Sequence, residues 1–406
     1  MRSFPILTLI AVLVSPVVAS AQDDPARPGV GELTEAPDEP QFGLDLGAGF
    51  SRVEEDSFID TNLGFSFGLG DLEMGLWVPL RFRVIDEAPE TDDVIRHEDW
   101  DEVADYFRIL RYVQYGSRGD TYWVRGGELA NVTMGHGTIV SGYNNVIDVN
   151  HFQWGLTGGA NFSFGGLELL LDNITNPDLM GFRVFARPWQ FIDPESYWTN
   201  LAVGMSLIGD VGAPIRLEQN SVGEYVIDDE RNLVVGREKA TGVLGFDVEL
   251  QAFSNDLVAL IPYADMNIHL GLGSGFHLGN LANFSFSEAV ALNLRLEFRA
   301  LGEGYSPSYF DGLYEYERLL FRPLDATGQR RPKLQVLELF PEEARVGWYS
   351  EGTLALFRLV YLTMAFEDYQ GDDNSSFWAR LALPQVGPLS LGAYYINQNF
   401  DGASEM

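Results

Sequence analysis

Arginine recurs at alternate positions within apolar stretches of this chain: Arg81 and Arg83, Arg183 and Arg187, Arg295 and Arg299. Guanidinium groups gathered on one face of a wall can select anions. Carboxylates share those and neighbouring stretches, among them Glu73, Glu168, Asp172, Asp247, Glu249, Asp265 and Glu297. A bracing network of ion pairs is therefore the plainer expectation. A second candidate is the run Met134-Gly-His-Gly-Thr-Ile-Val-Ser-Gly-Tyr-Asn-Asn145. Its glycines at 135, 137 and 142 permit unusual dihedrals, and His136 is the group there suited to titrate near neutrality. It reads as a long loop, lying on the surface or folding inward. His97–Glu102 and Glu367–Asn374 concentrate carboxylates that would suit a hard cation. Neither follows a calcium-loop pattern, so solvated loops are expected. The five histidines (His97, His136, His151, His269 and His277) show no ligand spacing, and no metal or cofactor is expected. Catalysis needs a nucleophile, a base and a group that orients the base. His269 and Asp265 share a face, but no such set is specified, and an enzyme is not expected.

The elements that carry these residues are strands. From Val290 to Ala300 the chain reads V-A-L-N-L-R-L-E-F-R-A, with Val290, Leu292, Leu294, Leu296 and Phe298 on one face. Asn293, Arg295, Glu297 and Arg299 occupy the other, the alternation of a β-strand and not of a helix. Leu72–Val84, Gly181–Arg187 and Ile261–Leu270 repeat the pattern. Sixteen such segments are expected between Phe42 and Phe400, many of them about 9–13 residues long. That is the length a tilted strand needs to cross a bilayer, whereas strands of soluble domains average about 5–6. Connectors at Gly70-Asp71, Gly165-Gly166 and Asn255-Asp256 are short. Those at Ile85–Asp105, Met134–Asn150, Asp210–Thr241 and Gly302–Lys333 are long and together carry much of the acidity.

The start of the chain points to export. Met1-Arg2 is basic, Ile6–Val18 is mostly apolar, and Ala19-Ser20-Ala21 is a small-residue cleavage site, so residues 1–21 read as a cleavable signal peptide. Residues 22–41, rich in Pro, Asp and Glu, read as a disordered periplasmic tail. Beyond them no window of about 18 apolar residues would make a membrane helix. There is no cysteine, and lysine occurs only at 239 and 333. A net charge of −33 excludes a basic footprint for nucleic acid.

These features, with the last strand Leu389-Ser-Leu-Gly-Ala-Tyr-Tyr-Ile-Asn-Gln-Asn-Phe400, resemble a bacterial outer-membrane β-barrel of the porin-like kind. Such barrels close with a terminal aromatic preceded by apolar residues at alternate positions. Phe400, Ile396 and Tyr394 match, Gln398 departs, and the chain runs on through Asp401–Met406. The resemblance implies an all-β fold over 42–406: one antiparallel transmembrane barrel of about 14–16 strands, with short periplasmic turns and long extracellular loops. It implies passage of small polar solutes through a water-filled lumen, with the bilayer and other envelope proteins as partners. A non-conducting barrel of a trans-envelope assembly is the alternative, and a barrel hydrolase the least favoured. In a barrel the strand arginines, Asp265, His269 and Glu297 would line the lumen, because arginine on the lipid face costs about 2–4 kcal/mol. His136 would then sit on a loop able to narrow the pore.

Overall fold

Residues that alternate in polarity with a period of two give a sheet whose two faces want different solvents, and this chain folds into one large sheet of that kind. The computed structural model describes residues 41–53, 56–85, 93–96, 100, 109–146, 153–228, 232–287, 289–323, 328–357, 359–371, 374–386 and 389–400. The expected signal peptide, the tail as far as residue 40, His97, His151 and residues 401–406 lie outside them, as do most of His97–Glu102 and residues 372–373.

The sheet has eighteen strands. Its long members are β1 Gln41–Val53, β2 Asp56–Leu69, β3 Leu72–Ile85, β4 Leu110–Tyr115, β5 Tyr122–Gly127, β6 Gly155–Phe162, β7 Gly165–Leu171, β8 Leu179–Ala186 and β9 Leu201–Asp210. They continue as β10 Thr241–Leu250, β11 Val258–His269, β12 Ser274–Ser287, β13 Val290–Leu301, β14 Arg345–Leu356, β15 Val360–Tyr369, β16 Ser375–Val386 and β17 Leu389–Phe400. The remaining strand, Phe253–Ser254, extends the line of β10 along β11. Every consecutive pair is antiparallel. β17 returns beside β1, so the sheet curls round into a barrel.

The sequence pattern marks sixteen segments and passes over β12. Ser274, Gly275, Gly279, Asn280, Asn283 and Ser285 dilute its alternation. It is a strand because register with β11 and β13 holds both its edges.

Antiparallel order fixes the rim at which each connection lies. The stretches 86–109, 128–154, 211–240 and 302–344 all leave one rim. The opposite rim carries 70–71, 116–121, 163–164, 187–200, 251–257, 288–289, 357–359 and 387–388, most of them tight. Long loops at one end and short turns at the other is the outer-membrane layout.

The outward face is apolar. On β13, Leu296 and Phe298 are 53% and 50% exposed, while Arg295, Glu297 and Arg299 between and beside them are 2%, 4% and 1% exposed. Met205 and Leu207 of β9, Phe246 and Val248 of β10, and Met266 and Ile268 of β11 continue the exposed belt. An apolar band of that extent is at home in lipid and not in water. The chain is an antiparallel β-barrel with an apolar outer wall.

The barrel interior holds a second core. Leu129, Val132, Met134, Ile139, Val140 and Tyr143 of the 128–145 loop pack against Leu170, Leu179, Ile208 and Val243 of the inner wall. Tyr309, Phe310, Tyr314 and Leu337 close it from the 302–344 connection. That connection forms two short helices, α1 Tyr314–Leu320 and α2 Lys333–Leu339, and a parallel bridge of Phe310–Asp311 to Val140–Ser141. The lumen on this side is packed protein.

Candidate functional site

Strand register places three carboxylates together on the inner wall. Asp247 of β10 lies directly opposite Asp265 of β11, with Glu249 one inward position further along β10. Like charges so close oppose one another, and each needs a cation. Arg183 of β8 supplies one, donating from Nε to Asp247 Oδ2 at 3.2 Å and from Nη2 to Oδ1 at 2.7 Å. The other comes from the loop. His136 reaches the middle of the barrel and donates through Nδ1 to Asp265 Oδ1 and through Nε2 to Glu249 Oε2, each at 2.8 Å.

Burial alone would push the His136 imidazole below its ordinary value. Attraction and hydrogen bonds from Asp265 and Glu249 outweigh that and hold it at about 10, so it is a cation at neutral pH. Its ring stacks on Tyr263, 4.0 Å between centroids. On either side, the Gly135 N–H donates to Glu168 Oε2 at 3.1 Å and Thr138 Oγ1 to Asp265 Oδ2 at 2.7 Å. Gly137 has φ +79°, a conformation that residues with side chains rarely adopt, where the loop passes the Arg295 guanidinium.

A second knot lies on β13. Glu297 accepts from Arg295 Nε at 2.7 Å, Arg299 Nε at 2.6 Å and the Tyr263 hydroxyl at 2.5 Å, with His277 Nδ1 at 3.4 Å. Arg299 Nη1 also donates to Glu367 and to the Tyr369 hydroxyl, both at 2.9 Å. The Tyr349 ring lies under both guanidiniums, 5.0 Å from Arg295 and 4.0 Å from Arg299.

Of the other arginines named from the sequence, Arg81 pairs with Asp60 at 3.5 Å and Arg83 with Asp56 at 2.9 Å. Arg187 donates to Asn161 Oδ1 and to the Phe162 carbonyl. Glu168 takes Arg118 at 2.9 Å and Arg183 at 3.6 Å. Asp265 and His269 share a face but not a partner, since His269 Nε2 meets Thr241 Oγ1 at 2.7 Å. No three-member metal-ligand cluster occurs among the described residues. Sequence reasoning missed His277, Tyr263, Tyr349 and Tyr369 as members of the network, for buried tyrosines on a barrel's inner face carry no local signal.

The long-loop rim is tied down by α1 and α2. Arg318 pairs with Asp178 at 3.0 Å and Asp210 at 3.2 Å, Tyr314 donates to Asp210 at 2.7 Å, and Tyr143 of the inner loop donates to Glu315 at 2.6 Å. Burial raises the Glu315 carboxyl to about 7 against the pull of Arg318. Lys333 donates to Glu317 at 2.7 Å among the rings of Tyr309, Tyr314 and Phe321. Opposite this packed side, lumen-facing groups keep water: the Asp60 side chain is 25% exposed and that of Glu367 27%.

No family model matches the chain, and no curated protein matches it in sequence. Solved structures similar to it are bacterial outer-membrane β-barrels. Wzi, an outer membrane protein involved in group 1 capsule assembly in Escherichia coli and a carbohydrate-binding barrel, is 12% identical with a TM-score of 0.38, over 90% of this chain and 78% of that one. OccAB4 of Acinetobacter baumannii is 10% identical with a TM-score of 0.35, over 88% and 91%. The outer membrane channel DcaP of Acinetobacter baumannii is 8% identical with a TM-score of 0.28, over 83% and 82%.

Proposed function

We propose that the chain is an outer-membrane channel of restricted bore that passes small polar solutes along one side of its lumen. The observation that carries this reading is the inner loop. Pinned at His136 and packed on an apolar core, it fills the side bounded by β6–β13 and leaves the polar groups of β2, β14 and β15 in contact with water. A barrel of this size would otherwise be open to general diffusion.

Charge supports a preference for cations or neutral solutes. Arg81, Arg83, Arg183, Arg295 and Arg299 are matched by carboxylates, so they present no unbalanced ring to an anion. Partly exposed carboxylates and a net charge of −33 set the remaining field.

The test is purified protein in planar bilayers under a salt gradient. Small stepwise conductance with a cation-preferring reversal potential is expected. Anion preference would return the arginines to a selecting role. A barrel that is heat-modifiable and folded yet silent would overturn the channel reading and favour a non-conducting part of an envelope assembly.

A further inference from the structure

The contact between the inner loop and the wall contains a small polar void. Ser206 of β9, Gly245 of β10 and Asn267 of β11 stand opposite one another in register, one inward position from the Asp247–Asp265 pair. Gly245 has no side chain, so this row dips at its middle. The loop spans the dip and leaves a void of about 10 Å³, with Thr138 and Ile139 on the loop side and both aspartates at its edge. A side chain at 245 would meet Ile139 Cδ1 at 2.7 Å and Asn267 Oδ1 at 2.9 Å.

The groups around the void have hydrogen-bonding capacity left over. Ser206 is 7% exposed and Asn267 1%, so both are cut off from bulk water. Among the described residues the Ser206 hydroxyl has no hydrogen-bond partner, and Asn267 uses only Nδ2, which donates to the Tyr305 hydroxyl at 3.1 Å. The backbone N–H groups of Thr138 and Ile139 likewise meet no acceptor among the described residues. Asp247 accepts only from Arg183, and Asp265 only from His136 and Thr138, so both carboxylates keep lone pairs to spare. Buried polar groups are seldom left in that state.

Donors and acceptors line the same void, and that mixture selects its occupant. A metal cation would leave the N–H groups unpaired and would add charge beside His136 and Arg183. An anion would face Asp247 and Asp265. Water donates and accepts, and one water needs a space of about 10–15 Å³ for its centre.

We infer that a single ordered water bridges the inner loop to the wall at this point. It donates to Asn267 Oδ1 and an aspartate, and it accepts from the Ser206 hydroxyl and the loop backbone. This gives the loop a second tie beside the His136 ion pairs, and it does not depend on whether the lumen conducts.

A crystal structure of the full chain, at a resolution that shows ordered water, tests this. One peak is expected within about 2.7–3.2 Å of Ser206 Oγ and Asn267 Oδ1. Ser206→Val, whose added methyl takes the place of the water, should lose the peak. Amide exchange at Thr138 and Ile139 should then speed up about tenfold, which is what one hydrogen bond is worth. The absence of a peak in the native chain would overturn the proposal. So would a peak that survives in Ser206→Val, or exchange in that variant equal to the native rate. A peak that thallium replaces in a soaked crystal would overturn it too, by giving the site to a cation.

Discussion

At the scale of single residues, the molecule turns on His136, which offsets two wall carboxylates that face a third. The glycine-flanked histidine was visible in the sequence, as were Asp265 and Glu249. Their meeting was not, because 129 and 113 residues separate them from His136 and only barrel register joins them. Removing one member of a buried ion pair costs about 3–5 kcal/mol, since the charge left behind stays desolvated. His136→Ala should therefore loosen the loop by roughly that amount at neutral pH. Faster amide exchange over residues 131–143 and larger conductance steps are the expected readings; exchange equal to that of the native chain would remove His136 from this role. The sign of the pH dependence follows from the raised value. The stabilisation is complete below about 6.5, the ordinary imidazole value, and is lost as pH rises through about 10.

At the scale of elements, the wall strands could be read locally and the plug could not. α1 buries Tyr314, Glu315, Glu317 and Arg318, so its inner face is charged and a search for apolar periodicity passes over it. α2 buries Lys333 beside Leu334, Val336 and Leu337 within a single seven-residue helix, too short to stand out. What holds α1 is a set of titratable groups: Glu315 faces Tyr143 and Arg318, with Asp172, Asp178 and Asp210 around the same guanidinium. Burial lifts Glu315 to about 7 and Asp172 to about 6, so both carboxyls bind their protons more tightly when α1 is docked. Their contribution is fully present below the ordinary carboxyl range and is lost as pH climbs through 6 to 7. Amide exchange over residues 313–321 should accordingly speed up between pH 5.5 and pH 8.5 by more than the intrinsic rate. Glu315→Gln, which keeps the hydrogen-bonding shape without the titration, should flatten most of that excess. An excess of the same size in Glu315→Gln would assign it elsewhere.

At the scale of the whole molecule, two solvents divide the chain, and that division was the part most legible in advance. The alternation along Val290–Ala300 could equally have served a soluble sandwich, in which the apolar face is the buried one. In the barrel the relation is inverted: Leu296 and Phe298 are the exposed residues, and Arg295, Glu297 and Arg299 are among the most buried in the chain. The interior was legible only as polar, because most of the apolar residues packed within it come from loops whose inward path no strand pattern encodes. The inversion makes a measurable difference between neighbours on one strand. An arginine at Leu296 would have to leave the lipid or drag its charge into it, at about 2–4 kcal/mol near the bilayer midplane. An arginine at Leu292, nearer the short-turn end of β13, can reach the headgroups and should cost about 0–1 kcal/mol. Reversible folding into phosphatidylcholine vesicles, followed by tryptophan emission against denaturant, reads both. Leu296→Arg should fall well below the native chain in folding free energy, with Leu292→Arg close to it. Equal and small losses would mean that this face does not meet hydrocarbon, and the assignment of the whole wall to lipid would fall with it.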